Sequence, residues 1–322
     1  MAKIYPIIFI FCFNIIFATA ENHLQLIQNA LDTGDYILAN EKFETAISEY
    51  DANAALYFIG GKVAVKLDKL DDANKHFIKA IELDNKNENY RLDQEKLSEL
   101  KNGITNARKT FDSGRMDEAI IDYEKLSTSF KDHAIVFYNL GRVYKVNEEY
   151  GLAVKNYKIA NDLNPFEEKY SLAVTAIAQE MAKAGDTEYR RQEFDTAIVN
   201  YKNAIQYSPN YTTAYFKLAR TYLKMKDYEN TKYYLELNLE IDPNQEQSEK
   251  MLGDIYKALG DLQAAIEHYN KAINIDANYH KAYYSLGTAF LSNGELEKAH
   301  QSLLTAVGLE PEYAKAYGAL GT

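Results

Sequence analysis

The sequence predicts an all-α fold, a solenoid of stacked antiparallel helix hairpins, on three observations. Five prolines and fifteen glycines in 322 residues are too few for a turn-rich β protein. Pro209 and Pro243 stand 34 residues apart, and Pro311 lies two such periods beyond Pro243, with Ala277 at the missing midpoint. Small and aromatic residues return in phase with that period, and self-similarity of this length marks a repeat architecture.

Residues 1–20 precede the repeats and read as an address. Met1–Lys3 is a short basic start, Ile7–Phe13 is apolar, Asn14 interrupts, Ile15–Phe17 resumes, and Ala18-Thr19-Ala20 offers small residues before a cut at Glu21. This is the pattern of a secretory signal peptide. The alternative, an uncleaved anchor, needs about 20 apolar residues and this run is shorter. Bulky Phe11 before Cys12 argues against lipidation there. Cleavage would remove the only cysteine, take the net charge from −11 to −12, and leave no segment apolar enough to span a membrane. The expected location is secreted or periplasmic, or the ER lumen or exterior of a eukaryotic cell, where the sequon Asn210-Tyr211-Thr212 would matter.

A 34-residue frame with proline at position 32 places repeats at 20–53, 54–87, 100–133, 134–167, 178–211, 212–245, 246–279 and 280–313. In domain terms, 21–87 holds repeats one and two, 100–167 three and four, and 178–313 five to eight. Position 20 reads Ala39, Ala73, Ala119, Ala153, Ala197, Thr231, Ala265, Ala299. Position 24 reads Phe43, Phe77, Tyr123, Tyr157, Tyr201, Leu235, Tyr269, Leu303. Position 27 is Ala in six repeats, with Leu126 and Asn238 as exceptions, and position 8 is Gly or Ala in all but Ile27. Positions 4, 7, 8 and 11 make one helical stripe, and 20, 24 and 27 a second. Small residues let the two helices approach while the aromatics fill the space between them. A turn at 14–17, as in Asn293-Gly294-Glu295, separates the helices, and proline ends the second. One hairpin cannot bury its apolar face alone, so neighbours must stack.

Two insertions, 88–99 and 168–177, contain no Pro or Gly. They are expected to extend the following first helices by about three turns, dividing the repeats into groups of two, two and four. Ala314–Thr322 restarts the pattern, with Tyr317, Leu320 and Gly321 at positions 4, 7 and 8. An incomplete ninth repeat is expected, and with it an uncapped face on repeat 280–313 that could support self-association.

Several chemistries are excluded or unsupported. The net charge of −11 argues against a nucleic-acid partner. One cysteine excludes a disulfide framework and a Cys-ligated metal. His23, His76, His133, His268, His280 and His300 never pair at i+3 or i+4, and no His-Glu-x-x-His occurs. Gly60-Gly61-Lys62 lacks the rest of a phosphate loop and is better explained by packing at position 8. Acidic pairs such as Asp71-Asp72 and Asp117-Glu118 recur at repeat turns, where they suit helix N-termini. No enzyme and no cofactor is expected.

The period, together with Gly at 8, Ala at 20, an aromatic at 24, Ala at 27 and Pro at 32, resembles the tetratricopeptide repeat family. Tyr or Phe stands where that family often has Trp at position 4. The resemblance covers residues 20–313, with weaker first helices in 20–53, 100–133 and 178–211, where Gly103 and Asn106 replace large apolar residues. It implies a right-handed superhelix whose concave surface is lined by first-helix positions 2, 5, 9, 12 and 13, and partner peptides that lie there. Transferred to this chain, position 5 reads Leu24, Phe58, Ile104, Tyr138, Ala182, Phe216, Lys250 and Tyr284, mostly apolar or aromatic. Positions 9 and 13 give Lys62, Arg108, Arg142 and Arg220, and Lys66, Arg190 and Lys224, against Asp32, Asp112, Asp186 and Asp254. Lys145, Lys183, Lys250, Lys257 and Lys281 fall near the same face.

Two explanations of that face compete. Either it is a basic, aromatic-floored groove for a carboxylate-rich peptide, or the basic residues suit helix C-termini and the aromatics pack between repeats. The carboxylate clamp of chaperone-binding relatives is absent: across 100–133, 134–167 and 178–211 only Asn139 and Lys183 fit, and Ile104, Arg108 and Gln179 do not. The expected function is a non-catalytic protein–protein interaction scaffold, exported from the cytoplasm. A docking or sensing region of a larger envelope enzyme or of a transport or assembly complex is the alternative. A lumenal co-chaperone comes third, weakened by the missing clamp.

Overall fold

The computed structural model describes residues 20–321, so the expected signal peptide, apart from Ala20, lies outside the described residues. Among them there are seventeen helices and no strand. The first unit holds α1 (20–32), α2 (Tyr36–Glu49), α3 (Ala54–Lys66), α4 (Leu70–Leu83), α5 (Glu88–Asp112), α6 (Met116–Ser129), α7 (Ala134–Val146) and α8 (Tyr150–Leu163). Then come α9 (Glu168–Arg190), α10 (Phe194–Tyr207), α11 (Thr212–Lys224), α12 (Tyr228–Ile241), α13 (Glu246–Ala258), α14 (Leu262–Ile275), α15 (His280–Ser292), α16 (Leu296–Leu309) and the short α17 (Ala314–Leu320). Consecutive helices pair as antiparallel hairpins, and the hairpins stack into an α-solenoid.

Each hairpin is built from the columns of the sequence. All eight residues at position 20 are fully buried, and so are those at position 24 to within 2% exposure. The ring at position 24 lies against the small residue at position 8. A Cβ added to Gly253 would come within 2.5 Å of the Tyr269 ring, so the glycine sets how closely the two helices pack. Asn238 breaks the alanine column at position 27, and its buried amide nitrogen donates to the Ser248 hydroxyl at 2.8 Å. Several second helices start on a side-chain cap: Asp35, Asp227 and Asp261 accept from the N–H groups of Leu38, Asn230 and Ala264. Pro165, Pro209 and Pro311 fall in the turns between hairpins, where they cost no helical hydrogen bond.

The turn within every hairpin has one geometry. Position 15 takes a left-handed conformation in all eight repeats: Gly34, Asp68, Gly114, Glu148, Gln192, Lys226, Gly260 and Gly294. The next residue then donates back to the carbonyl five residues earlier, as Asp35 to Ala30 and Asp261 to Tyr256 at 2.9 Å each, which closes the helix end in a Schellman motif. Only half of these positions are glycine. The other four carry the steric cost of a side chain at positive φ.

The chain divides into two compact units, one up to Val174 and one from Thr175, with the division inside α9. Residues 88–99 form the N-terminal extension of α5, which is a continuous 25-residue helix. The extension is amphipathic: Tyr90 packs on Phe58 at 4.6 Å, and Leu97 and Leu100 join the core around Phe77. α9 has 23 residues.

The turn geometry makes a prediction. Gln192→Gly and Lys226→Gly should each stabilise the second unit by about 1 kcal/mol, read as a raised midpoint in urea unfolding. Asp68→Gly should do the reverse, because that side chain is in use.

Candidate functional site

In the first unit the stack curls so that repeats two apart touch. Asp68, in the turn between α3 and α4, reaches the fourth repeat with both carboxylate oxygens. One accepts from the backbone N–H of Ile135 at 3.2 Å. The other accepts from the Asn164 amide at 2.8 Å and the Tyr170 hydroxyl at 2.7 Å. Ile135 is in the first turn of α7, whose own N-cap residue, His133, makes no side-chain cap. Asp68 thus serves as a cap borrowed from another repeat, with its charge at the positive end of the helix. Asn164 and Tyr170 are buried, so both depend on this carboxylate. Burial, with the Asp68 charge next, pushes the Tyr170 hydroxyl far above its ordinary range. Tyr36 of α2 meets Phe166 edge to face at 6.0 Å, a further contact between distant repeats of this unit.

Inside this curl is a cavity of about 750 Å3, within the range of small-ligand and side-chain pockets. α1 contributes Gln28, Leu31 and Asp32, and α3 contributes Lys62, Val65 and Lys66. α5 contributes Asp93, Lys96, Leu97 and Glu99, and the α6–α7 turn closes it with Phe130 and His133. The extension at 88–99 therefore builds a wall of the site. Burial holds the His133 imidazole below its usual pKa, with the Lys66 charge acting in the same direction and Asp68 against it.

The predicted groove residues divide into those with internal partners and those without. Phe58, Tyr138, Phe216 and Tyr284 are half-buried at seams of the stack. Tyr138 packs on Tyr157 and Tyr170, Tyr284 on Tyr313, and Phe216 on the core around Leu235. Arg108 pairs with Asp112 at 3.6 Å and Lys250 with Asp254 at 2.5 Å, while Lys257 donates to Thr288 at 2.7 Å. Lys257 is pulled below its usual pKa by burial. Lys145 is half-buried and engaged within the protein, Lys66 is half-buried, and Lys183, Lys224 and Lys281 are exposed.

At position 9 the two signs of charge behave differently. Three of the four cations lie on rings: Lys62 over Phe58 at 4.3 Å, Arg142 over Phe111 at 5.7 Å, and Arg220 over Tyr189 at 4.6 Å, while Arg108 pairs instead with Asp112 on its own helix. In the two arginine cases the ring comes from position 12 of the preceding repeat. The acids are bound from within. Asp186 accepts from Tyr201 at 2.8 Å and pairs with Lys217, and Asp254 accepts from Tyr269 at 2.9 Å besides Lys250. Burial and these carboxylates hold both tyrosine hydroxyls protonated.

Sequence reasoning missed Asp68, Lys217 and the α5 wall. The α5 wall had a signal, since Tyr90, Leu97, Leu100 and Ala107 share one helical face. Asp68 had none, its partners being 67, 96 and 102 residues away.

These hairpins define a helical-repeat interaction protein. Residues 185–226 and 253–294 match the family described as TPR repeat, and 212–245 and 280–313 the family described as tetratricopeptide repeat. Tetratricopeptide repeats are thus present over the matched residues, and such repeats are protein-interaction modules that are in general non-catalytic. Among solved structures, YrrB, titled a TPR protein with an unusual peptide-binding site, is 18% identical. That match covers 62% of this chain and 98% of YrrB, with a TM-score of 0.40. A MamA structure is 20% identical over 56% of this chain and 94% of its own, with a TM-score of 0.38. No curated protein matches the chain. Among the described residues no helix is long and apolar enough to cross a membrane, and no His/Cys/Asp/Glu cluster could hold a metal ion.

Asp68→Ala should cost about 2–3 kcal/mol in the first unit, because it leaves buried donors unpaired. Hydrogen exchange would show this as faster exchange at the start of α7 and in the first turns of α9. A second expectation concerns pH. Burial lowers the pKa of both His76, beside Phe43 at 4.8 Å, and His133. The unfolded chain therefore takes up protons near pH 6.5 while the folded chain resists, so stability is held above that pH and lost as pH falls through the folded values. The urea midpoint should be lower at pH 5 than at pH 8, and His76→Phe with His133→Leu should narrow the gap.

Proposed function

We propose that this protein is an exported, non-catalytic scaffold that binds a carboxylate-bearing peptide or protein segment along its first-helix faces. The observation that carries the reading is the unequal fate of charge at position 9. Asp186 and Asp254 are neutralised by Lys217, Lys250 and tyrosine hydroxyls, whereas Lys62, Arg142 and Arg220 rest on aromatic rings and pair with no carboxylate among the described residues. A guanidinium on a ring is held in place yet keeps its outer N–H groups for an incoming carboxylate. The chain is acidic overall, so local positive charge on this face also selects the partner's orientation.

Arg142→Glu and Arg220→Glu should each weaken capture of an acidic partner about tenfold, measured by titration against a partner recovered from the exported fraction. Unchanged affinity in both variants would remove the acidic-partner reading. Export rests on residues 1–20: a reporter active only outside the cytoplasm, fused after Glu21, should be active, and Ile8→Asp with Ile10→Asp should silence it.

A further inference from the structure

The cavity of the first unit is chemically two-sided. Its apolar lining comes from Leu31, Val65, Phe77, Leu97 and Phe130. Its charges are not equally available. Asp93 lies 3.8 Å from Lys96, and Asp32 accepts from Gln28 at 2.7 Å, so two of the three lining carboxylates already have partners within the site. Lys62 and Lys66, one turn apart on α3, have no carboxylate partner among the described residues. Lys62 is poised over the Phe58 ring at the edge of this space. An apolar hollow large enough for a bulky side chain therefore opens beside two ammonium groups that form no ion pair, with Glu99 as the third carboxylate of the lining.

We infer that this cavity is an anchor pocket: it takes one large apolar side chain of a partner segment, and a carboxylate within a residue or two of that side chain engages Lys62 and Lys66. The inference rests on the peptide-binding reading above and adds the recognised chemistry, an apolar residue adjoining Asp or Glu. A carboxylate on a plain alkyl chain would satisfy the lysines and the floor but leave the polar Ser129 of the lining unused, whereas a peptide backbone supplies a partner for it. The curl fixed by Asp68 keeps α3 facing α5 across the pocket, so the anchor is preformed rather than assembled by the partner.

The test is selection of phage-displayed random peptides on the full chain, followed by titration of the enriched sequences. The titrations compare wild type, a Lys62→Glu/Lys66→Glu double variant, Val65→Trp, which fills the pocket while keeping both lysines, and Arg220→Glu in the second unit. Each variant is first checked for an unchanged thermal midpoint. Enriched peptides should carry a large apolar residue next to an acidic one, and affinity should fall about tenfold or more in the double variant and in Val65→Trp. Peptides that bind both pocket variants as tightly as wild type, but not Arg220→Glu, would overturn the anchor pocket and leave the scaffold reading standing. Failure to enrich any peptide would remove both. Dodecanoate that binds wild type, loses binding in Val65→Trp and displaces the enriched peptides at lower concentration than they themselves require would reassign the pocket to an alkyl carboxylate.

Discussion

A hairpin of two short helices buries too little apolar surface to persist alone, so the fold depends on how well each hairpin closes and stacks. The contact that governs closure is the ring at position 24 against the small residue at position 8. Where that residue is glycine, as at Gly185 and Gly253, the tyrosine ring occupies space that any side chain would fill. The same tyrosines then extend their hydroxyls to the position-9 acids. Packing of the core and charge on the first-helix face are thus set by one side chain. A change at position 24 in these repeats would disturb both at once.

Much of this was legible in the sequence because it is local. The columns at 8, 20, 24 and 27 report contacts inside one hairpin or between neighbours, and periodicity exposes such contacts directly. The left-handed turn was only half visible. Gly34, Gly114, Gly260 and Gly294 mark it, but Asp68, Glu148, Gln192 and Lys226 occupy the same backbone state without the residue type that signals it. The groove candidates could be assigned to first helices, but their availability could not be read. Whether Lys250 or Arg142 is free depends on where Asp254 and Phe111 point, and that is a matter of rotamers and of the angle between repeats. The curl of the first unit was not legible at all, because a contact spanning 102 residues leaves no trace in a 34-residue frame.

The insertion at 88–99 shows how an irregularity becomes useful. A regular array would present the same shallow surface at every repeat. Lengthening α5 by three turns brings Asp93, Lys96 and Leu97 across from α3 and turns an open face into a walled space. The first unit therefore gains a recess that strict repetition would not produce.

The Asp68 contacts also bear on how such a protein can change over generations. Solenoids ordinarily gain or lose repeats with little penalty, because each unit touches only its neighbours. The interactions described for the second unit are of that kind, so duplication or loss of a hairpin there would leave the remaining interfaces intact. In the first unit, a hairpin added or removed between α4 and α7 would carry Asp68 out of reach of Ile135, Asn164 and Tyr170. One carboxylate in a tight turn thus counts the repeats, and makes half of an extensible architecture fixed in length.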